Sequence, residues 1–219
     1  MSMIQTILAA DVARVEFDML PQQSLMELVV EGFAMKSRFS KKGDEGYSDI
    51  EEWHGVRFND LKEVDVVKWT SYKSGHFPDG GTLDIQWLPS TVRDFGLTES
   101  RMEGTVNVSL LPRVMERLCI RQNRLTGTLD LPNMPPTMHY FIAHSNQFSG
   151  SLDLTKPPRE LRDLLLQANH FSGIVVLDAS TKWIRVDLSD NRFDKVVDEN
   201  GEIFYGDRTR IVSFYSLEN

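Results

Sequence analysis

At 219 residues and a formal net charge of −8, the chain carries 41% hydrophobic and 26% charged residues, an ordinary balance for a folded globular protein. No apolar run approaches the roughly 18 residues needed to cross a bilayer, and the acidic balance argues against nucleic acid and anionic membranes, whose binding draws on basic patches. One cysteine, Cys119, excludes an internal disulfide and agrees with a reducing compartment.

In chain order, Ile4, Ile7, Leu8, Val12, Val15 and Met19 have helical apolar spacing, and Pro21 should end that helix. A second helix is expected next. Ser24 with Glu27 reads as a capping box, Leu25, Leu28 and Val29 supply a buried face, and Gly32 can stop it. Both helices would cap the N-terminal end of the core. The polar stretch from Lys36 to Glu52 reads as a flexible connector. The start, Met1 to Gln5, has no secretory pattern, and Asp11, Glu16 and Asp18 argue against a transit peptide. The expectation is an intracellular, cytoplasmic protein.

From Leu88 onward the chain repeats. Pro89, Pro112, Pro135 and Pro158 recur at a period of about 23 residues, with a degenerate fifth start near Ser180. Counted from the proline, the sixth position reads Phe95, Leu118, Phe141, Leu164, Val186 and the eighth Leu97, Ile120, Ala143, Leu166, Leu188. The eleventh reads Ser100, Asn123, Asn146, Asn169, Asn191, followed by Met102, Leu125, Phe148, Phe171, Phe193 and then by Gly104, Gly127, Gly150, Gly173 and Lys195. Alternation over a short strand buries the sixth and eighth positions and turns the fifth, seventh and ninth outward. An asparagine can satisfy backbone groups at the bend after the strand, and a glycine permits the next tight turn. Before the repeats, Val64 to Trp69 should form a first parallel strand, and after an interruption from Ser71 to Asp79, Gly81 to Ile85 restores the register. Beyond Phe193, Asn200-Gly201 reads as a hairpin turn between Lys195-Val196-Val197 and Glu202 to Tyr205, with Ile211 to Tyr215 packing over the end.

These columns, L-x-x-L-x-L-x-x-N-x-L with an appended G-x-L, resemble leucine-rich-repeat proteins, specifically the plant-type N-x-[LF]-x-G-x-[LV] branch also found in protist families. Trp53-His54-Gly55-Val56 is similar to the W-x-G-V element that opens many plant-type arrays, with Phe58 where a cysteine often stands. The resemblance implies a mainly β, α/β-type solenoid: a right-handed curved array with a parallel sheet on the concave face, a helical N-terminal cap and a hairpin-like C-terminal cap. Residues 1–60 would be cap and connector, 61–200 the array (a degenerate repeat over 61–88, then repeats over 88–200) and 201–219 the C-terminal cap, all one structural domain. Extracellular plant-type relatives usually carry cap cysteine pairs, which this chain lacks, so the sequon Asn107-Val108-Ser109 is read as accidental.

Catalytic and metal patterns are weak. Asp198, Asn200 and Gly201 fit a calcium loop only with Val196 at the first ligand position, and His54, His76, His139, His144 and His170 have no zinc spacing. No metal or cofactor is expected. The outward strand positions define the candidate surface instead: Arg117, Tyr140, Asp163 and Arg185; Cys119, Ile142, Leu165 and Asp187; Arg121, His144 and Gln167. An apolar centre with an aromatic and arginine rim matches the composition of interface cores. Asp84, Asn107, Asp130 and Asp153 fall on one flank and read as a solubilising acidic ladder. The expectation is a monomeric, non-catalytic scaffold, adaptor or regulatory subunit binding a protein on its concave sheet, without nucleic acid or membrane. The alternatives are recognition of a peptide, glycan or other small ligand by Tyr140, His144 and Trp87, and an enzyme site between cap and array around Trp53, His54, His76 and Trp87.

Overall fold

Each period of the sequence contributes one short strand to a common sheet, because apolar residues two apart can be buried together only if successive turns stack side by side. The computed structural model of the chain describes residues 19–41, 46–70, 77–177, 185–198 and 200–203. Among the described residues, helix α1 (Gln22–Val30) comes first. The opening turns hold strands β1 (Val56–Phe58), β2 (Val64–Trp69), β3 (Gly81–Thr82), β4 (Asp94–Leu97) and β5 (Met102–Glu103). The regular repeats add β6 (Arg117–Cys119), β7 (Thr126–Gly127), β8 (Tyr140–Ile142), β9 (Gln147–Gly150), β10 (Asp153–Leu154), β11 (Asp163–Leu165) and β12 (His170–Leu177). Strands β13 (Arg185–Asp187) and β14 (Arg192–Asp198) close the described array.

The main sheet runs β1-β2-β4-β6-β8-β11-β13, parallel from β2 onward. The later strands form a second layer, in which β7, β9 and β12 pair in parallel and β12 also takes β10 and β14, while β3 pairs with β5. Between the layers lies one continuous core, from Met26 and Val30 through Phe95, Leu118, Phe141 and Leu164 to Val186 and Leu188. Phe148, Phe171 and Phe193 stack one above another within it, with ring centroids 6.3 and 6.2 Å apart. Burying each such side chain contributes roughly 1.5–3 kcal/mol.

The asparagine column joins the turns. Asn146 Oδ1 accepts from the Leu125 N–H of the preceding turn, and Nδ2 donates to the carbonyls of Ile120, in the preceding turn, and Ala143, in its own. Asn123, Asn169 and Asn191 repeat the pattern with Met102, Phe148 and Phe171 as donors. The residue before each asparagine, Gln122, Ser145, Ala168 or Asp190, takes a left-handed φ of 54 to 57°, a conformation that costs a non-glycine residue about 1–2 kcal/mol. The buried hydrogen bonds of the following side chain hold that bend. At Ser100, where the first asparagine is missing, Oγ bonds the Thr98 carbonyl and Asn123 reaches back to serve the Ser100 N–H.

The N-terminal end departs from expectation in three respects. The described helix starts at Gln22 behind Pro21, with no side-chain cap, so Ser24 and Glu27 form no capping box. Gln22 and Gln23 instead use their amides on the array, accepting from the Val64 and Ile50 N–H groups. Its buried face is Leu25, Met26, Val29 and Val30, while Leu28 is exposed. The stretch read as a flexible connector contains two 3₁₀ turns, Lys36–Phe39 and Ile50–Glu52, and sends Phe39 and Ile50 into the core. Phe39 packs with Phe33, Trp53, Trp69 and Phe77 at centroid distances of 4.5 to 6.2 Å. Isolated aromatics in polar sequence have no period to reveal them. The third departure is β1, which pairs antiparallel with β2. Gly55 lets the two approach, since a Cβ there would lie 2.2 Å from the Lys68 carbonyl oxygen.

At the other end, β14 pairs with β12 across a register shift where Lys195 replaces the repeat glycine. Asp198 accepts from the Asn200 and Glu202 N–H groups, Gly201 has φ 82°, and Val197 bridges Ile203 antiparallel. The turn expected at Asn200-Gly201 is therefore formed, and Asp198 serves it as an acceptor. Residues 4–18 of the expected first helix, residues 71–76 of the interruption from Ser71 to Asp79, and the segment Ile211 to Tyr215 lie outside the described residues.

Removing one asparagine should reveal the dependence between turns. Asn146→Ala strands the buried Leu125 N–H and is expected to lower the unfolding free energy by about 3 kcal/mol, against under about 0.5 kcal/mol for exposed Gln147→Ala. Denaturant titration followed by circular dichroism measures both.

Candidate interaction face of the main sheet

The parallel register brings the outward residues into ranks. Arg117 stands opposite Tyr140, Tyr140 opposite Asp163, and Asp163 opposite Arg185. Beside them Cys119, Ile142, Leu165 and Asp187 form a second rank in the same pairings. Arg121, His144 and Gln167 stand two residues beyond Cys119, Ile142 and Leu165. The turns are about 4.8 Å apart, so all eleven residues share one face.

Their environments differ from a uniformly open surface. Leu165 is only 6% exposed, whereas Cys119 and Ile142 are half-buried. The apolar centre is therefore narrower than the sequence pattern implies. Arg117 is engaged on both sides: its guanidinium lies 4.1 Å from the Tyr140 ring centroid, and Nε is 3.8 Å from Asp94 Oδ2. Asp94 also takes Lys68 Nζ at 2.5 Å. Asp94 holds the outward fifth position of the Pro89 repeat, and Lys68 extends the face into the degenerate first turn, which the regular repeats alone did not indicate. Gly96 makes room for that contact, because a Cβ there would lie 2.7 Å from Thr70 Cγ2 and 3.3 Å from Lys68 Cδ. Arg121 pairs with Glu99 at 3.3 Å and contacts Gln122. Arg185 is exposed and makes no ion pair among the described residues.

Two acceptors stand out. Asp187 Oδ1 takes the Ser189 N–H and hydroxyl. Gln167 Oε1 is buried and finds no donor among the described residues. An unpaired buried amide oxygen costs about 1–3 kcal/mol, which a donor from outside could recover. His144 Nδ1 lies 3.1 Å from the Ser145 hydroxyl. Burial, with help from Arg121, holds its imidazole below the ordinary value, partly opposed by Asp187. Burial likewise pushes the Cys119 thiol up, against smaller opposing effects of Arg121 and Lys68. The thiol form of Cys119 and the neutral ring of His144 are the forms these surroundings favour.

The other candidate constellations separate. Trp53 is buried in the aromatic cap with Nε1 donating to the Ser48 carbonyl, and His54 is exposed beside it. His76 lies outside the described residues. Trp87 belongs to the 3₁₀ turn Ile85–Trp87 of a return arm, where Nε1 donates to Asp84, so Tyr140, His144 and Trp87 do not share the sheet. The flank residues also have local partners. Asn107 and Asp153 accept from the N–H and hydroxyl of Ser109 and Thr155, and Asp130 from the Asn133 amide. Among the described residues, no three His, Cys, Asp or Glu side chains are grouped to hold a metal ion, and no described helix is long and apolar enough to cross a membrane.

A two-layer solenoid of parallel strands with a ladder of asparagines defines the leucine-rich-repeat fold. No protein-family model and no curated protein sequence matches the chain. Its fold is similar to solved plant receptor ectodomains. The leucine-rich-repeat ectodomain of the receptor kinase SOBIR1 from Arabidopsis thaliana aligns over 81% of this chain and 95% of its own at 21% identity, with TM-score 0.58. Pollen receptor kinase 3 aligns over 86% and 98% at 17% identity, with TM-score 0.59. The BIR3–SERK2 complex from Arabidopsis thaliana aligns over 78% and 93% at 18% identity, with TM-score 0.51.

Burial makes folded His144 harder to protonate than a free imidazole. The unfolded chain binds the proton more readily, so stability contributed by neutral His144 is present above the unfolded imidazole value and declines as pH falls through it toward the folded value. NMR titration of His144 should give a midpoint below that of an unstructured histidine, and His144→Gln should lessen the loss of stability in that window.

Proposed function

We propose that the chain is a non-catalytic protein-interaction module, working as a scaffold, adaptor or regulatory subunit, whose partner docks on the concave outward face of the main sheet. The observation that carries this reading is the Gln167 Oε1 acceptor, buried without a donor among the described residues on the same face as half-buried Ile142 and Cys119. A protein partner could cover the apolar centre and supply the missing N–H. The rim of Arg117 stacked on Tyr140 and of exposed Arg185 offers the aromatic and guanidinium groups that dominate interface energetics. The solved complex of BIR3 with SERK2 supports a protein as the kind of partner a solenoid of this fold takes. The same reading has the chain acting as a monomer in the cytoplasm, and the free thiol of Cys119 supports a reducing compartment.

Affinity purification from the native cell with wild-type chain, Ile142→Asp and Thr128→Asp tests this. Thr128 is exposed on the second layer, away from the main sheet. With folding confirmed by circular dichroism, Ile142→Asp should lose the captured partner and Thr128→Asp should keep it. Equal capture by both variants overturns the proposed face.

A further inference from the structure

The corners that lead each return arm back into the main sheet carry a second, separate feature. At three successive described corners a proline carbonyl accepts the N–H three residues on: Pro112 from Met115, Pro135 from Met138 and Pro158 from Leu161. The residue after the proline therefore sits at the tip of a turn, and in these three turns it is Arg113, Pro136 and Arg159. Successive tips are one turn apart, so Arg113 and Arg159 are about 10 Å apart at the backbone, with Pro136 between them.

They line one cleft of about 480 Å³, together with Lys156 and Glu160. Arg113, Lys156 and Arg159 are exposed and make no ion pair among the described residues. Glu160, the one carboxylate lining the cleft, lies 3.9 Å from His139 Nε2. On and beside the main sheet, Lys68, Arg93, Arg117 and Arg121 have carboxylate partners, and Arg185 alone of its outward arginines has none among the described residues. In a chain of net charge −8, the cleft thus sets three cations against one carboxylate, a local excess of two positive charges. Its walls include Pro136, Pro157 and Pro158. Locked proline φ angles keep such walls in one shape, which lowers the ordering cost of binding.

We propose that this cleft binds a phosphate monoester dianion, held between the Arg113 and Arg159 guanidinium groups with the Lys156 ammonium as third donor. At neutral pH a phosphate monoester carries about −1.5 to −2 charge and three acceptor oxygens, which matches the excess charge, and arginine forks suit its geometry. The site is on the return-arm corner and is independent of the docking face proposed above.

Calorimetric titration of the full chain at low ionic strength tests the assignment, with inorganic phosphate, a phosphoserine peptide and its unphosphorylated twin as probes. Arg113→Ala/Lys156→Ala/Arg159→Ala empties the cleft of cations, and Arg124→Ala/Arg192→Ala/Lys195→Ala removes the same charge from exposed positions elsewhere. Saturable binding of a phosphorylated probe should weaken at least about tenfold in the first variant and less than about twofold in the second. Tighter binding of the phosphopeptide than of inorganic phosphate assigns the ester to a polypeptide, and equal binding assigns it to a free small molecule. No saturable binding by the wild type, equal losses in both variants, or equal affinity for the unphosphorylated peptide overturns the proposal.

Discussion

Everything in this molecule depends on how one turn of chain satisfies the next at the bend after the strand. There the backbone leaves the sheet, enters a left-handed conformation at a non-glycine residue, and would bury several polar groups without partners. One asparagine side chain answers that need by accepting from the turn before it and donating to carbonyls of both turns. The interaction is local in geometry and long-range in consequence. Because each turn completes its neighbour, no turn is stable alone, and the array requires covered ends.

The ends meet that requirement by different means. At the N-terminal side, helix α1, the aromatic cluster around Phe39 and Trp69 and the antiparallel strand β1 cover the first turn. At the described C-terminal side, the loss of the repeat glycine at Lys195 coincides with a register shift and a hairpin bridge between Val197 and Ile203. With stability assigned to inward columns and ends, outward residues are free to vary, which is why function is argued from them and not from the fold.

On the outward face, electrostatics proves more self-contained than its composition implies. Lys68, Asp94, Arg117 and Tyr140 form a connected series across four neighbouring strands. Partly exposed, solvent-screened pairs of this kind contribute at most about 1 kcal/mol each, so their effect is mainly to fix side-chain positions. Groups without such partners among the described residues have binding capacity to spare; they include Gln167 Oε1 and Arg185 on the sheet, and Arg113, Lys156 and Arg159 at the corners.

The sequence by itself determined the period, the inward and outward assignment of each column, the asparagine and glycine positions and the hairpin turn at Asn200-Gly201. Those derive from backbone geometry that repeats with the chain, so a column of like residues reports a like environment. Only the tertiary structure decided the starting residue of α1, the burial of Phe39 and Ile50, strand β1 and the narrowing of the apolar centre by Leu165. It also gave the flank residues local hydrogen-bond partners and brought Arg113, Lys156 and Arg159 to one cleft. These depend on contacts between residues tens of positions apart that share no period, and such contacts exist only once the turns have stacked.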